Sequence, residues 1–232
     1  MINPMYSDHA REYAAAIRDN NYNAYYERPS LLALLPEFEG KAVIDLGCGP
    51  GEYAGILLNQ GARLTTIDGS EQMVQLVKEK LGGSVRCYQQ DLAEGLPLES
   101  DNAYDLAVSA LMIHYLEDLT PLFLDIRRVL KPGGLFVFST HHPFVDYQFS
   151  PSGNYFLQEK IIDEWDTLEK PVRVEYYRRS LSQIIQPLTK AGFSVLELTE
   201  GKPAAEMEQT SPESFRKLST EPGFLFLKCG VI

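Results

Sequence analysis

Two hydrophobic patterns alternate along this chain. Short apolar runs at Val43–Leu46, Arg63–Ile67, Val85–Gln89, 102–109 and Leu135–Thr140 read as strands, and segments with helical spacing separate them. Residues 8–18 read as a first helix, and Pro29-Ser30 open a short second one that Pro36 stops after Leu35. Tyr53–Gln60 reads as a third helix with Gly61 as its C-cap, and Ser70 can cap a fourth that runs to Leu81. Thr120-Pro121 start a fifth, with Leu122, Ile126 and Leu130 on one face, and Lys131-Pro132-Gly133-Gly134 end it. Five strands alternating with helices predict a parallel sheet with right-handed crossovers.

After Thr140 the pattern changes. Tyr155–Trp165 and Val172–Tyr177 contain strand-like stretches joined near Lys170-Pro171, which predicts a hairpin rich in aromatic residues. Ser180 can cap a helix through Lys190, Gly192 ends it, and Ser194–Leu198 reads as a sixth strand. Residues 200–222 read as a polar connection to a last strand, Phe224–Lys228.

The chemistry concentrates where the first strand breaks. Val43-Ile44-Asp45-Leu46-Gly47-Cys48-Gly49-Pro50-Gly51-Glu52 is an apolar run ending in an acid and a glycine cluster, which lets a ligand lie against the main chain and the next helix N-terminus. A dinucleotide turn, G-x-G-x-x-G, would need glycine at 52, where this chain has Glu. Asp45 and Glu52 are poor neighbours for a pyrophosphate and good ones for a cation. Asp68 follows the second strand, where a carboxylate can accept hydrogen bonds from both hydroxyls of a ribose.

This series resembles the class I S-adenosylmethionine-dependent methyltransferases, and among them the small-molecule branch, through the acid-x-G-x-G-x-G pattern at Asp45–Gly51 and the ordered motifs that follow over about residues 40–140. The resemblance implies a Rossmann-like α/β fold: a doubly wound, mostly parallel seven-stranded sheet with helices on both faces and an antiparallel last strand between the fifth and sixth. It divides the single expected domain, 1–232, into an N-terminal helical lid (1–39), a cofactor-binding core (40–140), a substrate-side insert (141–180) and the C-terminal part of the sheet (181–232). It implies S-adenosylmethionine as cofactor. Asp45, Gly47, Cys48, Gly49 and Gly51 would hold its methionine end and Asp68, with Gly69, its ribose; Met73, Asp91 and Leu92 would meet the adenine, and Ser109 and Ala110 would line the inner side. Tyr25 and Tyr26, in a polar and aromatic stretch of the lid, could cover the methionine end, an aromatic face being attractive to a sulfonium, or pack a peripheral helix onto the core.

Three histidines fall at the same sheet edge: His114 after the fourth strand, and His141 and His142 after the fifth. Any of them can take the proton an attacking nucleophile loses, or simply cap a strand end. Methyl transfer also proceeds by alignment alone, so a dedicated base is not required. The aromatic insert is consistent with a pocket for a small, partly apolar acceptor.

Composition narrows the partners. A net charge of −11 with no clustered Lys or Arg argues against a sequence-independent hold on nucleic acid. Three scattered cysteines have neither disulfide nor metal-ligand spacing, no apolar run is long enough to span a bilayer, and the N-terminus lacks a signal peptide's apolar core. These features predict a soluble, unprocessed cytoplasmic enzyme without a metal, monomeric or homodimeric, acting on a small molecule. Two alternatives stay open: a non-catalytic S-adenosylmethionine-binding module, and an NAD-dependent oxidoreductase, which explains Asp68 but not Asp45 or Glu52.

Overall fold

The computed structural model describes residues 3–232 of the chain, so Met1 and Ile2 of the expected lid lie outside the described residues. Its centre is a seven-stranded sheet of order β3-β2-β1-β4-β5-β9-β8. These are β1 (Ala42–Leu46), β2 (Arg63–Asp68), β3 (Arg86–Gln89), β4 (Tyr104–Ser109), β5 (Leu130–His141), β8 (Phe193–Thr199) and β9 (Phe224–Val231). The first five pair in parallel, and β9 runs antiparallel to both β5 and β8. A separate antiparallel hairpin, β6 (Glu159–Trp165) and β7 (Val172–Arg178), fills the predicted insert.

The strand sequences explain the layering. A parallel strand covered on both faces must be apolar on both, and successive side chains of β1 and β5 do go opposite ways. Ile44, Phe136 and Phe138 pack in one core with α5 (Thr120–Val129) and α7 (Leu181–Lys190), represented by Phe123, Ile126 and Leu188. Val43 and Val137 pack in the other, with Leu31 of α2 (Arg28–Leu32), Leu57 of α3 (Glu52–Asn59) and Val77 of α4 (Glu71–Leu81). Each such side chain is fully buried, worth roughly 1.5–3 kcal/mol against exposure. The acid inside this run, Asp45, is buried with them and stands out for that reason.

Three segments depart from the sequence reading. The expected helix over 8–18 is α1, Ala10–Ala16, and the polar and aromatic stretch after it is not irregular: Asn23–Glu27 forms a π-helical turn that feeds directly into α2. The turn at 131–134 lies inside β5, because pairing to β4 resumes on either side of an irregularity between Tyr104 and Leu106. The polar connection 200–222 contains two short helices, α8 (Glu206–Thr210) and α9 (Pro212–Thr220), whose Met207 and Leu218 anchor them to the core. Another short helix, α6 (Pro143–Asp146), follows β5.

The N-terminal segment and the hairpin meet above the strand ends. Met5 packs with Val172 and Val174, and the Asn3 side chain clips onto β7, donating to the Glu175 carbonyl at 3.2 Å and accepting its N–H at 2.8 Å. The Ser70 hydroxyl, at the start of α4, donates to the Tyr6 carbonyl and ties this roof to the sheet.

Candidate active site

Loops from the carboxyl ends of β1, β2, β4 and β5 open beneath the roof into one cavity of about 1260 Å³. That exceeds the ~300–1,000 Å³ usual for a single ligand and leaves room for two.

At one end the glycine loop forms its floor. Gly47, Cys48 and Gly49 line the cavity. Gly47 has a φ of +73°, and a Cβ there would run into the Met112 side chain. Gly51 is different: it does not line the cavity, and its φ of +84° turns the chain into α3. A Cβ at Gly51 would meet Val77 Cγ2 at 3.0 Å, so this glycine serves the turn and the packing of α4. Asp68 closes the loop from β2, its two oxygens accepting the N–H groups of Ser70 and Gly49, each at 2.8 Å. Burial holds its pKa above the ordinary carboxylate value despite those bonds. Each oxygen keeps a further lone pair.

Asp45 is 1% exposed, lines the cavity, and has one carboxylate oxygen without a partner. Burial, then the negative fields of Asp68, Cys87 and Glu27, push its pKa up to about 8. An anion so placed lacks a cation. Gly69, Met73, Asp91, Leu92 and Ala110 line the same end, and Asp91 caps the turn after β3 by accepting the Ala93 N–H at 3.0 Å. Ser109 lies behind the wall instead: fully buried, its hydroxyl donates to the Leu46 carbonyl at 2.9 Å and locks β4 to β1.

The N-terminal segment supplies residues the sequence reading did not name. The π-helical turn points Glu27 into the cavity, where it accepts the hydroxyls of Ser139 at 2.6 Å and Tyr53 at 2.9 Å. Burial raises its pKa to about 7 against those bonds. Arg28 also lines the cavity, and its buried Nε has no partner. An adjacent acid and base inside a stretch expected to cover a cofactor was the available signal. The same turn carries Tyr26 the other way. Its ring is fully buried against Phe224, its hydroxyl donates to the Glu200 carbonyl and accepts the Gly223 N–H at 3.1 Å, and neither Tyr25 nor Tyr26 lines the cavity.

At the other end the structure separates the three histidines. His114 and His141 both line the cavity and stack, ring centres 3.8 Å apart. His114 is buried, with Nδ1 at 3.4 Å from the Thr140 hydroxyl and Nε2 without a partner. Burial, then the fields of His141 and Arg179, hold its pKa well below the usual value, so it is neutral at neutral pH. His141 has Nδ1 3.3 Å from the buried carboxylate of Asp146, within ion-pair distance but without a hydrogen bond. His142 lies outside the cavity; its Nδ1 accepts the Phe144 N–H at 3.2 Å and caps α6, and Nε2 is 3.3 Å from Glu200.

Residues 44–138, which carry the glycine loop and the next four strands, match the family model described as a methyltransferase domain. A solved structure described as a candidate S-adenosylmethionine dependent methyltransferase from Listeria monocytogenes is similar over 89% of this chain and 96% of its own, at 28% identity and a TM-score of 0.75. This chain belongs to the class I S-adenosylmethionine-dependent methyltransferases. An S-adenosylmethionine dependent methyltransferase from Mesorhizobium loti is also similar, at 26% identity, with a TM-score of 0.70, over 88% of this chain and 97% of that one. A malonyl-[acyl-carrier protein] O-methyltransferase from Erwinia billingiae is 32% identical over 56% of this chain, which spans only 52% of that relative.

The cavity suits the cofactor of such a methyltransferase on its own chemistry. The methionine end of S-adenosylmethionine carries an ammonium and a carboxylate, and the unpartnered Asp45 oxygen and Arg28 Nε are complementary to the two. When bound, the cofactor supplies a methyl group on a sulfonium, activated by a neutral leaving group. No helix among the described residues is long and apolar enough to cross a membrane.

Proposed function

We propose that this methyltransferase acts on a small molecule, held at the end of the cavity that the hairpin, His114 and His141 build. The single observation carrying this reading is that the cavity continues past the glycine loop into a second, aromatic-lined end roofed by β6 and β7. In this reading Asp45 and Arg28 hold the methionine end, Asp68 the ribose, and Asp91 and Leu92 the adenine, while Gly47 and Gly49 let the ligand approach the main chain. His141, with the Asp146 carboxylate 3.3 Å from its Nδ1, receives the proton the acceptor loses, and that carboxylate favours the imidazolium by its charge; neutral His114 shapes the wall beside it. The roof excludes water and aligns the reactants.

An acyl-carrier-bound acceptor is the competing reading, drawn from the malonyl-[acyl-carrier protein] relatives. A carboxylate acceptor calls for a cation, and the cations lining the cavity among the described residues, Arg28 and Lys217, belong to the lid and α9, not to the elements around His141.

The test is turnover of a screened acceptor in two variants with cofactor affinity measured alongside. His141→Ala is expected to lower kcat at least about a hundredfold, the usual contribution of a positioned base, with S-adenosylhomocysteine affinity unchanged. His142→Ala, outside the cavity, should keep wild-type kcat. Equal losses in both, or none in His141→Ala, would remove His141 from the reaction. A cavity whose acceptor end admits no small molecule would leave a cofactor-binding module.

A further inference from the structure

The inner face of the hairpin holds an acid where its sequence calls for apolar residues. Alternation along the antiparallel pair puts Ile161, Asp163 and Trp165 of β6 on the same face as Val172, Val174 and Tyr176 of β7. That face packs over the cavity: Ile161, Val172, Val174 and Tyr176 are buried, and Asp163, Trp165 and Tyr176 line it. Asp163 is held in place by the Trp165 indole, whose Nε1 donates to Oδ2 at 3.2 Å.

Aromatic rings surround this carboxylate and a second one. His141 lies between Trp165 and Tyr176, ring centres 5.6 Å and 4.9 Å away, and Trp165 and Tyr176 are 6.0 Å apart. Asp146, buried, approaches the cluster from α6. Burial, then the negative fields of Asp146 and Asp163, lift the pKa of the Tyr176 hydroxyl well above the usual value. The edge of the cavity beyond adds Glu117, Glu164 and Asp166. The nearby cation, Arg179, is spent elsewhere: its guanidinium donates to the carbonyls of Leu116, Glu117 and Tyr177 and does not line the cavity. Buried His114 adds an Nε2 with no partner to the same wall.

Carboxylates set among Trp, Tyr and His faces make a site for a positively charged nitrogen, since the rings attract a cation through their quadrupoles and the acids through their charge. From this geometry we infer that the acceptor is a cationic amine, bound by Asp163, Trp165, Tyr176 and Asp146. The inference deepens the proposed function and rests on its assignment of the two ends of the cavity. An ammonium is not a nucleophile until it sheds a proton; its N–H bond breaks, the pair stays on nitrogen, and the proton passes to His141, whose imidazolium Asp146 would stabilise. The freed pair would then form the N–C bond to the methyl group as the S–C bond breaks, its electrons staying on sulfur and S-adenosylhomocysteine leaving neutral at that atom. The same acidic cage disfavours a malonyl-type carboxylate.

The test uses three probes of nearly the same shape and different charge: tetramethylammonium, tert-butanol and pivalate. S-adenosylhomocysteine is titrated into the protein first by calorimetry; failure there sinks the donor-site assignment and says nothing of charge preference. Each probe is then titrated into the saturated complex. Tetramethylammonium is expected to bind at least about tenfold more tightly than either of the others. Asp163→Asn should weaken it about fivefold or more while S-adenosylhomocysteine affinity, the check on folding, stays at the wild-type value. Absence of tetramethylammonium binding, pivalate binding as well as the cation, or an Asp163→Asn variant indistinguishable from wild type overturns the inference. So does loss of tetramethylammonium binding when S-adenosylmethionine replaces S-adenosylhomocysteine, which would assign the cage to the cofactor's own sulfonium.

Discussion

Asp45 carries the clearest residue-scale consequence. Its pKa in the free protein is about 8, raised chiefly by burial, so at pH 7 the folded protein holds a proton there that an unfolded carboxylate has lost. A group bound to its proton more tightly when folded contributes stability that is full below the unfolded value, near 4, and is lost as pH rises toward 8. An ammonium placed on the unpartnered oxygen reverses the preference and expels the proton. S-adenosylhomocysteine binding at pH 7 should therefore release close to one proton, seen as a dependence of calorimetric enthalpy on buffer ionisation enthalpy, and affinity should rise from pH 6 to 7.5. Asp45→Asn should abolish the release and weaken binding tenfold or more. Binding with no proton release would mean that Asp45 does not meet the ammonium. Glu27, raised to about 7, adds to the release only if the ligand reaches it as well.

Among the elements, the turn between β1 and α3 divides its labour among glycines that look equivalent in sequence. Gly49, with a φ of +51° and open space around its would-be Cβ, lines the cavity, whereas Gly51 backs onto Val77. Gly51→Ala combines a left-handed backbone with a 3.0 Å contact and should cost about 2–3 kcal/mol, lowering the melting temperature by about 4–12 °C. Gly49→Ala should cost only about 1–2 kcal/mol but suppress S-adenosylhomocysteine binding, because its methyl would stand in the ligand's space. Thermal unfolding with and without ligand separates the two, and equal stability losses would refute the division. The glycine pattern was legible because a left-handed turn needs it, but which glycine faced the cavity was not. That depended on α4, whose Val77 arrives from a different part of the chain.

For the whole molecule, the roof is the part that ligand binding should change. Asn3 joins the N-terminal segment to β7, and Ser70 joins it to α4, so that segment and the hairpin are coupled through hydrogen bonds and a small apolar cluster of Met5, Val172 and Val174. A cluster this small gives low local stability compared with the two main cores. At 100 times its dissociation constant, S-adenosylhomocysteine should add about 2.7 kcal/mol to global stability. It should also slow hydrogen exchange in residues 3–27 and 159–178 together. Protection of the first segment without the second would show that the roof is two independent flaps.

Neighbouring residues alone were enough to read the sheet and the glycine loop at its edge. Those features are local: a strand's apolar run, the acid and glycines that break it, and the acid at the tip of the next strand all follow from neighbouring residues and a period of two. The sequence also predicted the hairpin, for the same reason. Tertiary structure alone decided which side chains meet. His141 and His142 are adjacent and chemically identical, yet one lines the cavity beside Asp146 and the other caps a helix, because the end of β5 and the start of α6 turn them apart. Tyr26 and Glu27 part similarly at a π-helical turn that aromatic and polar composition does not encode. Asp163 reads in sequence as an ordinary alternating polar residue; only the hairpin's packing over the strand ends puts it inside. Periodicity records which face of an element is buried, whereas the partners on that face come from segments far away in the chain, and their meeting is fixed by the packing of the whole.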